Sequence, residues 1–154
     1  MIDLLALCAF HAAYADAIDS DALEQWPGFF ADDAHYRITH IENEREGLPA
    51  GLVYADSRAM LEDRVTSLRQ ANIYERQRYR HMLGVPLLLT SGANEAEART
   101  PFMVARTMAT GEMQLFATGY YQDHFVRQDG RLLLKSRVAV CDSTVTDTLL
   151  ALPL

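Results

Sequence analysis

The sequence predicts an α+β domain, with helices packed into the concave side of a strongly curved, mostly antiparallel sheet. Three observations carry this expectation. The last third reads as three long strands, Ala96–Ala109, Met113–Arg127 and Leu132–Cys141. The breaks between them are short and turn-like, Thr110-Gly111-Glu112 and Gln128-Asp129-Gly130, and an Asp-Gly step between apolar runs is a strong local hairpin signal. Helical periodicity is confined to the first half of the chain. Helices segregated from a strand meander give α+β rather than α/β.

In chain order, Asp3 to Ile18 fits an amphipathic helix, with Leu4, Leu7, His11, Tyr14 and Ile18 recurring at spacings of three and four. Asp3 puts a negative charge where a helix N-terminus favours one. Asp19-Ser20-Asp21 supplies caps for a second, shorter helical stretch within residues 20–30, which Pro27-Gly28 bends or stops. Residues 34–41 read as a first strand. Glu42–Gly51 is polar, contains Gly47, Pro49 and Gly51, and reads as a loop that contacts a partner. Leu52–Tyr54 fits a short edge strand. Asp56-Ser57 caps a helix over 57–70, whose buried stripe is Leu61, Val65 and Leu68. Residues 79–90 read as the next strand. Pro86 within it, and Pro101 beyond, fit an edge or a bulge, because proline cannot donate to a ladder.

Composition bounds the function. At 154 residues, without a linker or repeat, one domain spanning 1–154 is expected. Net charge is −7, which disfavours a general binder of nucleic acid or anionic membrane, since both need a positive field. The two cysteines, Cys8 and Cys141, make no disulfide framework and read as reduced core thiols. The first residues carry Asp3 and no basic region, so they do not read as a secretory signal, and no apolar run reaches membrane-spanning length. A cytoplasmic protein is expected.

No P-loop, GxGxxG, HExxH or GxSxG occurs. Cys8 and His11 have the C-x2-H spacing of half a Rieske site, but the C-x-H half is missing, so core packing on the first helix is the better reading. The histidines His11, His35, His40, His81 and His124 are scattered, and no metal ligand set emerges. An acid–base pocket is the enzymatic alternative. Asp33, His35 and Tyr120, with Tyr36 and His124, lie on strands that would have to face one cavity. That set would serve an isomerase or dehydratase, and the same cavity without the acid–base pair would serve a small-ligand binder. The competing reading is that Tyr36 and Tyr120 are core aromatics with satisfied hydroxyls.

The densest polar and aromatic run is Tyr74–His81. Interfaces enrich Arg and Tyr, so Arg76, Arg78, Arg80 and His81 are candidate subunit contacts. The apolar stretch Thr148–Leu154 requires a groove, on this subunit or on a neighbour, which adds Leu152 and Leu154.

These residues also carry a resemblance. Trp26, Phe29, Asp33 and Tyr36 stand in the order W-x2-F-x3-D-x2-Y; Arg78-Tyr79-Arg80-His81 and Arg137 to Asp142 come later on strands, then a leucine-rich tail. The pattern resembles the small (β) subunits of Rieske-type aromatic-ring-hydroxylating dioxygenases, over essentially the whole chain. Trp26–Thr39, Tyr74–Pro86 and Val140 onward look most like the branch of that family acting on terephthalate. The resemblance implies the cone-shaped fold of the nuclear transport factor 2 superfamily. It implies a non-catalytic assembly role beside a large (α) subunit in an α3β3 hexamer. The Rieske [2Fe-2S] cluster and mononuclear iron are then expected on that large subunit, with electrons arriving from NADH through a reductase, and no cofactor on this chain. The implied reaction of the complex is cis-dihydroxylation of terephthalate with O2.

Overall fold

The computed structural model describes residues 1–47, 53–71, 76–143 and 152–154. Helix α1 spans Leu4–Asp19, and the Asp3 side chain caps it by accepting the Ala6 N–H at 2.8 Å. Asp21 takes a positive φ of 60°, so the chain leaves helical geometry there. The next segment, Leu23–Phe29, is a 3-10 helix rather than an α-helix. Pro27 lies inside it and has no N–H to offer an α-helical ladder.

Strand β1 runs Phe30–His40. It starts earlier than the expected residue 34 because its register is irregular between Phe30 and His35, which breaks the alternation a sequence reading relies on. The expected loop after it begins as a short helix instead, α2, Ile41–Arg45, where the His40 ring accepts the Asn43 N–H. The loop's remainder, 48–51, lies outside the described residues. Strand β2, Val53–Ala55, pairs antiparallel with β1, and helix α3 spans Arg58–Ala71. Arg69 on α3 binds Asp21 and Glu24, tying the helix to the 3-10 segment.

The expected strand 79–90 is two strands, β3 (Gln77–Leu83) and β4 (Leu87–Ser91), with Gly84 to Pro86 between them. Both pair with β5, Glu95–Met108. Pro101 sits on β5 where its neighbour changes from β3 to β4, and Gly84 N–H donates to its carbonyl at 2.9 Å. N–H and C=O of one residue point to the same side of a strand. The donor that Pro101 lacks therefore falls in the gap between β3 and β4. Strands β6 (Met113–Gln128) and β7 (Arg131–Cys141) complete the meander through turns with positive φ at Gly111, Asp129 and Gly130.

The sheet order is β2-β1-β7-β6-β5-β3, with β4 beside β5. All pairings are antiparallel except β1 with β7. Residues of β5 alternate strictly, Ala96, Ala98, Thr100, Phe102 and Val104 inward and their neighbours outward. The inward faces meet α1, the 3-10 segment and α3, and the core between them is rich in rings: Phe10, Tyr14, Trp26, Phe30, Tyr36, Tyr79, Tyr121 and Phe125. Leu152 and Leu154 are buried in the same core. Of the apolar stretch expected to need a groove, 148–151 lies outside the described residues.

Candidate functional site

Two places concentrate polar chemistry, the interior of the cone and the outer face of β3. In the interior, Asp123 and Arg137 share inward positions on paired strands β6 and β7, directly across the ladder. Arg137 Nε and Nη2 donate to the two Asp123 oxygens, each at 2.8 Å, a bidentate geometry. The guanidinium lies between two rings, 4.2 Å from the Tyr14 centroid and 3.8 Å from that of Tyr121. Nη2 also reaches His11 Nδ1 at 3.1 Å, and His11 Nε2 lies 3.1 Å from Thr100 Oγ1. With Nδ1 accepting from Arg137, the ring proton belongs on Nε2, donating to Thr100. Burial, then the neighbouring Arg137 charge, lowers the His11 pKa to about 2. The imidazole is neutral, so its 3.8 Å approach to Asp123 Oδ2 is not an ion pair. Burial raises the Asp123 carboxyl against the pull of Arg137. Burial opposes the Arg137 charge too, but Asp123 and the two phenols more than offset it and keep the guanidinium protonated.

Both His11 ring nitrogens are thus occupied, and Cys8 is half-exposed while Cys141 is buried on β7. These donors do not fit a Rieske cluster. No cluster of three metal-ligating side chains occurs among the described residues.

The acid–base set expected around Asp33, His35 and Tyr120 does not converge on a cavity. Asp33 is exposed and bound to Lys135, which holds its carboxyl below the usual range. His35 is exposed, Tyr120 packs under Arg99 and His124 faces Glu95. Only Tyr36 points inward, fully buried. Alternation explains the error, since residues of opposite parity on β1 and β6 leave opposite faces of the sheet.

On β3, Arg78 and Arg80 face outward and Tyr79 and His81 inward. Arg76, just before the strand, is exposed. His81 is therefore a core residue. Its N–H donates to Asp19 Oδ2 at 2.8 Å and its Nδ1 lies 2.6 Å from Asp19 Oδ1, so the pair pins β3 to the end of α1. Leu152 and Leu154 sit in this chain's own interior rather than on its surface. Of the six candidate contacts, the structure leaves Arg76, Arg78 and Arg80 exposed. None of these three has an ion-pair partner among the described residues, whereas Arg37, Arg58, Arg69 and Arg137 each bind a carboxylate. The arginines border a depression of about 640 Å³, lined also by Ala105, Thr107 and Met113. Across the same face Met82 and Met103 pair on β3 and β5, and Leu115 stands opposite Ala105. Met82, Met113 and Leu115 are 63%, 72% and 61% exposed, values that large apolar side chains seldom show together unless a surface is to be covered.

Sequence reasoning missed the Arg137–Asp123–His11 cluster. The available signal was parity: Asp123 lies between Tyr121 and Phe125 at spacings of two, so it faces the core and requires a cation.

The family model for the ring hydroxylating beta subunit matches residues 13–148. The chain belongs to that family. It is 59% identical, over the full length of both proteins, to the terephthalate 1,2-dioxygenase terminal oxygenase component subunit beta 1 of Comamonas sp. It is 38% identical over 141 residues, 92% of this chain and 88% of the other, to the anthranilate 1,2-dioxygenase small subunit of Burkholderia cepacia. Among solved structures, a Novosphingobium aromaticivorans protein assigned as the beta subunit of an aromatic-ring-hydroxylating dioxygenase matches with a TM-score of 0.90 and 37% identity. The match covers 98% of this chain and 96% of that one. This ring-hydroxylating β subunit therefore has the curved-sheet architecture expected for it. No helix among its described residues is long and apolar enough to cross a membrane.

Proposed function

We propose that this β subunit is the non-catalytic assembly component of a cytoplasmic dioxygenase that cis-dihydroxylates terephthalate. Its partner is the large subunit, in an α3β3 complex, which carries the Rieske [2Fe-2S] cluster and mononuclear iron and receives NADH-derived electrons through a reductase. The substrate follows from the likeness to the Comamonas subunit over its whole length. The observation that carries the assembly role is the row Arg76, Arg78 and Arg80, without carboxylate partners among the described residues and bordered by exposed methionines on a chain of net charge −7. A partner with carboxylates among apolar side chains fits that face, and charge pairs of this kind set docking rate and register. The dispersal of Asp33, His35 and Tyr120 over the outer face supports a role without chemistry on this chain.

The test is co-expression with the large subunit, followed by native mass measurement. Arg78→Glu with Arg80→Glu lowers recovery of the complex at least tenfold, as a loss of roughly 1.4 kcal/mol or more requires. The purified variant chain keeps its own melting temperature, because both residues are exposed. An unchanged complex mass and yield would refute the contact, and a Rieske absorption spectrum in the isolated chain would refute the division of labour.

A further inference from the structure

Leu154 is held in the way a binding site holds a ligand. Tyr14 and Tyr36 hydroxyls donate to its carbonyl at 2.9 and 3.1 Å. Its own N–H donates to the Tyr36 hydroxyl at 3.1 Å. Trp26 Nε1–H donates to the Tyr14 hydroxyl at 2.9 Å and fixes that ring's lone pair and proton. The Leu154 side chain is fully buried. The groups that do this come from α1, the 3-10 segment and β1, all more than a hundred residues away in sequence.

A second observation is independent of the first. The Tyr121 hydroxyl and Arg137 Nη1 are buried and have no hydrogen-bond partner among the described residues. Both belong to the same interior, since Arg137 lies between the rings of Tyr121 and Tyr14. Buried polar groups are nearly always paired. The interior therefore offers more hydrogen-bonding capacity than Leu152–Leu154 uses.

We propose that the cone interior is a binding site for an isobutyl-sized apolar group carrying a carbonyl or carboxylate, occupied in cis by Leu152–Leu154. Trp26 and the Tyr14 and Tyr36 hydroxyls read the oxygen, and the ring cluster takes the apolar body. An added ligand of the same chemistry competes with the segment for the site. Loosening the segment raises the ligand's affinity without altering the groups that read it.

Trp26 is the only tryptophan in the chain and belongs to the hydrogen-bonded set, so its emission reports occupancy directly. The full chain is titrated with N-acetyl-L-leucine and, separately, with its neutral amide. The unaltered chain, Leu154→Ala and Leu152→Ala are compared, each checked for native circular dichroism. Saturable emission changes are expected in the loosened variants at concentrations about tenfold lower than in the unaltered chain, since each 1.4 kcal/mol removed from the competitor is tenfold. Adding Tyr36→Phe to Leu154→Ala weakens binding by about three- to tenfold, the worth of one hydrogen bond. Binding of both probes means that the site reads a carbonyl, and binding of the acid alone means that it reads a carboxylate. Absence of saturable binding in all three chains, or indifference to Tyr36→Phe, would overturn the proposal.

Discussion

Acid destabilises this domain through His11, and one substitution removes the effect. In the folded chain the ring accepts from Arg137 and donates to Thr100, so a second proton would have to point at a guanidinium. Burial and Arg137 together hold the folded pKa at about 2, against 6.5 for an ordinary histidine. Below pH 6.5 the unfolded chain takes up a proton that the folded one refuses. The unfolded state then binds more protons, so stability falls as pH falls, over the window from 6.5 down to about 2. Well below 6.5 the slope is about 1.4 kcal/mol per pH unit, which amounts to roughly 2 kcal/mol between pH 7 and pH 5. The assay is urea unfolding over that range, for the unaltered chain and for His11→Gln. Glutamine offers an amide oxygen that accepts and an NH2 group that donates, but takes no proton. The variant is expected to be less stable at pH 7, by about 1 kcal/mol, and to lose about 2 kcal/mol less on going to pH 5. The comparison cancels the titration of other groups common to both chains. Parallel stability curves would refute the reasoning, because they would mean that His11 is protonated in the folded state.

Further predictions concern packing and the same cluster. Arg137→Met leaves Asp123 buried without a cation and costs about 3–5 kcal/mol in urea unfolding, whereas adding Asp123→Leu recovers most of that loss. Gly119→Ala places a Cβ 1.9 Å from the Val140 carbonyl oxygen, where β6 and β7 run side by side. It costs about 1–3 kcal/mol as an overpacked site. Gly28→Ala, with nothing within 4 Å, shifts stability by less than about 0.5 kcal/mol and serves as its control. Asp19→Ala frees both anchors of His81 and costs about 1–3 kcal/mol, visible as faster amide exchange along β3.

Much of the architecture is written locally. The Asp129-Gly130 turn and the alternation of Ala96, Ala98, Thr100, Phe102 and Val104 belong to short stretches of chain, and hairpins obey local rules. So does the capped start of α1 at Asp3. Parity also turns Arg78 and Arg80 outward, and the structure adds that they have no ion-pair partner among the described residues. Two of the departures share a long-range cause. Gly84 to Pro86 divide one apparent strand because β5 needs two neighbours in succession, and nothing within residues 79–90 encodes that. The irregular start of β1 is set by its register with β7, a strand reached a hundred residues later.

The linear order of residues was enough to establish the class of the fold and the family to which the chain belongs. Periodicity, turn chemistry and local motifs persist without three-dimensional context, which is why they can be read there. Which side chains meet is a property of the folded chain alone. Asp33, His35 and Tyr120 stay out of the interior because alternation turns all three to the outer face of the sheet, opposite Tyr36 and Tyr121. Asp123, Arg137, His11 and Leu154 converge because α1, β6, β7 and the Leu152–Leu154 segment close over one interior. In that interior burial changes what a residue is: a histidine ceases to titrate near neutrality, and a leucine carbonyl becomes the partner of two tyrosines.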